Sequence, residues 1–374
     1  MAKTVVVLGG SLGGMAVTHR LLKQTRPHQE DLKVILISKN SHFYWNLASV
    51  RAVIPGLVKD DDILAPIEPG LAQYPAGSVD FIVGTASAVD PAARTVRVDT
   101  DPSAGPGPVI AYDHLVLATG ANAADAELPW KASGSHADLL DSLHRTASQV
   151  GAAKHVVIAG AGATGVELAG EIRFAFPSTT VVLIAADEHV VADDQIAGSV
   201  ESELRRLGVE IRAGVRAEDT TDLPDGKTRV ALSDGGEIVT DLYLPTMGLR
   251  PNTDYLPKEW LNEHDYVDAD DKMRVKAADG VWAVGDIVSK PRAAFMITEA
   301  QAAGVAKNIG LELKGKPAQS VSGPLVDAFL CSTGRSRGAG RLGYVPVPSL
   351  AVWAIKGRTL GVERTQKYVD GSMW

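Results

Sequence analysis

Short, unbroken apolar runs recur along the chain, and glycine or other small residues follow several of them. Thr4-Val5-Val6-Val7-Leu8 is apolar on both faces and rich in β-branched side chains, the pattern of a strand buried in a parallel sheet. Glycines follow, and from Met15 to Lys23 the residues Ala16, Leu21 and Leu22 keep helical spacing before a second buried run, Val34-Ile35-Leu36-Ile37. This predicts a βαβ unit with a right-handed crossover. The pattern restarts at His155. Val156 to Ala159 reads as a strand, Gly160 to Gly165 as a turn, Val166 to Phe174 as a helix stopped by Pro177, and Val181 to Ile184 as the returning strand.

Between the two units, strands are predicted around Phe81-Ile82-Val83, Thr95 to Val98 and Leu115 to Ala118, with Pro102 to Pro108 as an exposed hairpin loop. After the second unit come Arg229 to Leu232, a turn at Ser233 to Gly236, Ile238-Val239, Leu242 to Leu244 and Val281 to Val284. An alanine-rich helix is predicted from Ala293 to Ile309, and a separate small module after about residue 311. The fold class is α/β, with two Rossmann-like dinucleotide-binding domains and a small C-terminal α+β module.

Composition narrows the chemistry. At 374 residues, with 45% hydrophobic and 22% charged residues, the chain has the make-up of a folded protein with substantial cores. Its formal net charge of -8 disfavours polyphosphate partners, so no nucleic acid is expected. The single cysteine, Cys331, leaves no internal disulfide, no cysteine-rich metal site and no redox-active dithiol. No metal is expected. The opening Met1-Ala2-Lys3-Thr4 shows neither a signal peptide nor the glycine that myristoylation needs, and no stretch approaches the roughly 18 apolar residues of a membrane span. A cytoplasmic setting is expected.

The first glycine turn, Gly9-Gly10-Ser11-Leu12-Gly13-Gly14, is an imperfect G-x-G-x-x-G with Ser11 in the middle position. Glycines there permit a tight turn and close backbone approach, and the helix that follows offers N–H groups and partial positive charge to a pyrophosphate. The acidic residue expected at the end of the next strand is absent, and Ser38 and Lys39 stand there. The second turn is complete: Gly160-Ala161-Gly162-Ala163-Thr164-Gly165, with Glu167 just beyond. Ala185 and Ala186 occupy the following strand end, so NADH and NADPH both remain open. Leu117-Ala118-Thr119-Gly120 and Thr246-Met247-Gly248 close two further strands with small residues. In Val284-Gly285-Asp286 a carboxylate is positioned to accept from a ribityl chain, ahead of a helix whose N-terminus favours negative charge on reduced flavin.

In this order, the motifs resemble those of the two-dinucleotide-binding-domain flavoproteins. More narrowly, His42-Phe43-Tyr44-Trp45-Asn46 with Arg51, and Phe329 to Arg335 with Gly338, Gly340 and Gly343, resemble the apoptosis-inducing-factor-like, ferroptosis-suppressor-like family in its fungal form. The resemblance runs over nearly the whole chain. It implies a flavin cradle from Gly9, Leu12, Gly13, Gly14, Lys39, Asn46, Arg51, Ala86, Thr119, Gly120 and Asp286, with Arg51 facing the pyrophosphate or the ring dione. Gly160, Gly162, Thr164, Gly165 and Gly248 fall to NAD(P)H. Residues 1–121 and 250–310 are the expected FAD-binding domain, 122–249 the NAD(P)H-binding domain, and 311–374 the terminal module. Two departures stand out: Ala293, beside Arg292, replaces an expected lysine, and Gln301 a histidine.

Hydride transfer depends chiefly on positioning. Glu167 is a candidate to orient the nicotinamide, or else a helix-surface carboxylate. His42 is a candidate proton donor to a reduced acceptor, or else an ordinary hydrogen-bonded histidine. Phe43, Tyr44, Trp45, Trp353 and Trp374 are candidates to line a pocket for a planar quinone, with core packing as the alternative for each. Without a dithiol, the remaining acceptors are a quinone, oxygen or another small organic molecule. The alternatives are a biosynthetic flavoenzyme acting on an aromatic metabolite and a slow-turnover redox regulator. The apolar stretch Tyr344 to Ile355 is suited to a homodimer contact, a flavin cover or peripheral membrane contact.

Overall fold

The computed structural model describes residues 3–100, 107–125, 127–288 and 294–374. Two parallel sheets organise them. In the first, the strands lie in the order Val281–Ala283, His114–Leu117, Lys3–Leu8, Leu32–Ser38, Val79–Val83. In the second the order is Glu210–Arg212, Thr180–Ile184, His155–Ala159, Leu242–Pro245. The apolar runs are the central strands of each, as their lack of alternation requires. Val5 and Val7 enter one core while Val6 and Leu8 enter another on the opposite face. Val156 and Ile158 likewise part from Val157. Full burial of each such side chain contributes roughly 1.5–3 kcal/mol.

Each sheet carries helices on one face and a three-stranded antiparallel sheet on the other. Thr85–Asp90, Thr95–Asp99 and Val109–Ala111 cover the first sheet through Val96 and Val98. Ala217–Asp222, Thr228–Leu232 and Glu237–Thr240 cover the second through Val230 and Leu232. The last strand of the first sheet comes from residues 281–283, so the chain returns to that sheet after completing the second.

The first helix spans Leu12–Arg20 and continues as a π-helical turn over Leu21–Thr25 before Pro27. It packs along Phe295–Leu313, which begins and ends later than the predicted 293–309. Of the predicted hairpin loop only residues 107 and 108 are described, and the departures Arg292 and Ala293 lie outside the described residues. A helix not anticipated from the sequence runs over His136–Ala152, capped by Ser135, which accepts from the Asp138 N–H. The terminal module is a three-stranded antiparallel sheet, Ala328–Ser332, Gly338–Leu342 and Val345–Val347, followed by short helical turns. Among the described residues no helix is long and apolar enough to cross a membrane.

Candidate nucleotide sites

The first glycine turn is built by contacts that only glycine permits. Gly9 has φ +114°, and a Cβ there would lie 2.2 Å from the Ala118 carbonyl oxygen. A Cβ on Gly14 would lie 1.7 Å from Gly9 O, and one on Gly13 would lie 2.9 Å from Val284 Cγ1. These close approaches put the helix N-terminus at Leu12 against the ends of the strands His114–Leu117 and Val281–Ala283. A cleft of about 110 Å³ opens there, with Leu12 and Gly13, Asn46, Thr119 and Gly120, and Asp286 on its walls.

Polar contacts fix those walls. The Gly285 N–H donates to Gln301 Oε1 at 2.8 Å, so Gln301 holds the turn that presents Asp286. Thr119 Oγ1 donates to Asn252 O, and Asn252 Nδ2 donates to Thr119 O at 2.8 Å. Asp286 Oδ2 accepts from Lys131 Nζ at 2.6 Å. Lys131 also lines the cleft, and sequence reasoning missed it because no motif surrounds it. Lys39 does not enter the cleft. Its half-buried side chain donates through Nζ to Ser133 O at 2.9 Å, and burial lowers its pKa.

The second turn repeats the first in its stricter form. Gly160 has φ +104°, and a Cβ on Gly165 would lie 1.9 Å from Gly160 O. Thr246 Oγ1 donates to Gly160 O at 2.8 Å and locks the turn to the end of the neighbouring strand. Gly162 caps the helix Ala163–Ala175 in an extended conformation, and a Cβ there would meet nothing within 4 Å. The backbone at Gly162, and the helix first turn bearing Thr164, therefore face open space where an anionic group can approach. Gly248 adopts φ +74° beside Ala124.

Four further sequence candidates are placed elsewhere. Arg51 is buried and does not reach the cleft. Its Nε and Nη2 donate to Glu171 Oε1, its Nη2 also to Gly357 O and its Nη1 to Arg358 O, so its donors join the first half to the second nucleotide helix and the terminal module. Ala86 lies in the first strand of the antiparallel cover and packs against the core beneath it. Glu167 is buried; its Oε1 accepts from the Ser332 N–H at 2.8 Å and lies 2.7 Å from Lys356 Nζ. It is thus not a free helix-surface carboxylate. His42 stacks on His136 with ring centroids 3.6 Å apart, away from the cleft walls.

The aromatic candidates are also mostly core. Phe43 and Trp45 are fully buried, and Trp45 packs against Phe295 and Tyr368 while donating to Leu360 O. Trp374 packs on His19 and Tyr368. Only Tyr44 of this run lines the cleft, with its hydroxyl donating to Pro129 O. The tail motif has a packing reason, since a Cβ on Gly170 of the second nucleotide helix would lie 2.6 Å from Gly334 N.

Residues 3–305 match the family described as pyridine nucleotide-disulphide oxidoreductase. The chain belongs to that family. An oxidoreductase of Pestalotiopsis fici, ptaL, is 34% identical over 99% of this chain and 100% of its own length. Human ferroptosis suppressor protein 1 is 27% identical over 97% of this chain and 95% of its own. An Aquifex aeolicus sulfide:quinone oxidoreductase superposes with a TM-score of 0.79 at 18% identity, covering 99% of this chain and 92% of that one. With these relatives, this pyridine nucleotide-disulphide oxidoreductase falls in the apoptosis-inducing-factor-like, ferroptosis-suppressor-like branch. It is a flavoprotein whose cofactors are FAD and NAD(P)H. The disulphide of the family name has no counterpart here: Cys331 is the chain's one cysteine, and burial pushes its thiol up to about 12.

The first cleft has the polarity FAD requires. Leu12 and Gly13, in the first helical turn where N–H groups lack intrahelical partners, and the Asp286 carboxylate all line it, a donor set that could take an anion beside an acceptor for hydroxyl groups.

Proposed function

We propose that this oxidoreductase holds FAD at the Gly9–Gly14 turn, binds NAD(P)H at the Gly160–Gly165 turn, and passes the electrons to a quinone or comparably planar organic acceptor. In this reading residues 1–121 and 250–310 carry FAD, 122–249 carry NAD(P)H, and 311–374 form the terminal module. Bound flavin supplies the redox chemistry, accepting a hydride and releasing electrons to the acceptor. The chain supplies position. Gly9, Gly13 and Gly14 admit the backbone approach to one pyrophosphate, and Gly160, Gly162 and Gly165 to the other. Thr119, Gly120 and Asn46 bound the cleft, while Asp286, presented by Gln301, accepts from hydroxyl groups.

The buried, solitary Cys331 carries the acceptor assignment, because electrons leaving the flavin have no protein dithiol to enter. A quinone acceptor is supported by the name of the Aquifex relative in fold, which transfers to quinone. Phe43 and Trp45 are spent in the core and do not line an aromatic cage. Anaerobic reduction of the FAD-loaded protein with NAD(P)H, followed by mixing with benzoquinones and naphthoquinones, tests the reading. Reoxidation by a quinone faster than by air supports it. Equal, slow reoxidation by every quinone overturns it and favours the regulator.

A further inference from the structure

Residues 129–133 run beside the first cleft as a strap, with Lys131 and Ala132 on its wall. Tyr44 Oη donates to Pro129 O at 2.8 Å, Asn46 Nδ2 to Trp130 O at 3.2 Å, and Lys39 Nζ to Ser133 O at 2.9 Å. On the other side Trp130 Nε1 donates to Pro245 O at 2.8 Å, at the end of the strand that leads into the second turn. The strap is therefore pinned to both halves of the molecule. Its inner side presents Lys131, whose ammonium forms a charge-assisted bond to Asp286 across the cleft.

Two physical points single out the strap among the walls of the cleft. The cleft holds about 110 Å³, a fraction of the roughly 300–1,000 Å³ of ligand pockets, so a dinucleotide seated in it touches each of its walls, the strap included. The glycine-turn wall is locked by the contact of Gly9 with Ala118, and the Asp286 wall by Gln301. The strap is anchored by the buried Trp130, and its contacts to the first half include hydrogen bonds to its main-chain carbonyls from Tyr44 and Asn46, worth about 0.5–1.5 kcal/mol net each, and from the Lys39 ammonium, worth about 1.5–3, beside the Lys131–Asp286 pair.

We propose that residues 129–133 are a clasp over the bound flavin nucleotide. Lys131 exchanges Asp286 for the pyrophosphate, the one anionic part of oxidised FAD, and leaves the carboxylate to accept from a ribityl hydroxyl. The inference rests on FAD occupying this cleft. The same small space brings Lys131 and the Leu12–Gly13 helix N-terminus together, so an anion held by one is within reach of the other.

The test is FAD titration of the deflavinated full chain, read by quenching of flavin fluorescence. Lys131→Met raises the Kd about tenfold, the loss of one charge-assisted contact. Lys131→Arg restores binding to within about threefold of the parent. A second measurement needs no variant. Trypsin cuts the Lys131–Ala132 bond in the deflavinated protein, and saturating FAD protects it. A Kd unchanged in Lys131→Met, or cleavage indifferent to FAD, overturns the clasp. Gly13→Leu separates the two readings: its side chain fills the cleft against Val284, and unchanged FAD affinity in that variant overturns the cleft assignment itself.

Discussion

Arg51 Nη2 and Glu171 Oε1 lie 2.5 Å apart, both side chains almost wholly removed from water. The pair joins the first nucleotide-binding half to the helix that caps the second turn, and Arg51 also takes two carbonyls of the terminal module. A cation that the family resemblance places at the pyrophosphate or the ring dione here rivets three parts of the fold together. Glu167, one helical turn before Glu171, pairs with Lys356 at 2.7 Å.

Breaking the rivet is expected to destabilise the fold rather than empty the cleft. Arg51→Met strands a buried carboxylate, at a cost of about 3–5 kcal/mol. Arg51→Met with Glu171→Met recovers most of it, since paired apolar replacement of a buried ion pair is often neutral. Denaturant unfolding of both variants checks this. FAD loss from Arg51→Met with unchanged stability would return Arg51 to the phosphate.

At the second turn, two glycines are expected to part company. Gly165→Ala drives a Cβ into Gly160 O and lowers stability. Gly162→Ala meets nothing, so its stability stays within about 0.5 kcal/mol of the parent. Its methyl nonetheless occupies the approach of a pyrophosphate, and the Kd for NADH or NADPH rises at least tenfold, about 1.4 kcal/mol. Calorimetric titration reads the second effect and thermal unfolding the first.

Cys331 is expected to be silent in the native protein. Burial is the main cause of its raised pKa, so the thiolate population at pH 8 is negligible. Ellman's reagent should label no thiol in buffer and one in urea. Replacement by alanine should leave NAD(P)H-driven flavin reduction unchanged; a lost turnover in Cys331→Ala would reopen a thiol mechanism.

Stability is expected to fall on mild acidification. Burial, then the charge of Lys23, lowers His19 to about 4, and burial, then Arg94, lowers His114 to about 4. Between pH 6.5 and about 4 the unfolded chain binds protons that the folded chain refuses, so folding free energy declines across that window. Above pH 6.5 both states are neutral at these groups, and they contribute no pH dependence. Urea midpoints at pH 7.5, 6 and 5 measure the trend, and a midpoint that does not fall towards pH 5 contradicts it.

The parallel strands were legible because they are buried on both faces and therefore uninterrupted, as in Val5 to Leu8 and Val156 to Ala159. The glycine turns were legible because positive φ and sub-3 Å approaches leave no other residue. The helix His136–Ala152 was overlooked, although Ser135 and Asp138 form a capping box and Leu139, Leu143 and Val150 keep its period. What single-sequence reading could not reach was partnership. Nothing in the spacing of Arg51 and Glu171, or of Glu167 and Lys356, says that these charges meet in the core. Lys131 carries no motif at all; only the folded chain brings it to Asp286.

Two glycine turns serving two nucleotides, one reducing the other, is the claim that everything else depends on. Anaerobic titration of the purified, FAD-loaded protein with NADH and then NADPH, followed by the visible absorbance of oxidised flavin, tests it most directly. Stoichiometric bleaching by at least one nucleotide, lost in Gly162→Ala at the same concentrations, is the expected result. Full retention of the oxidised spectrum with both nucleotides in excess would contradict the account.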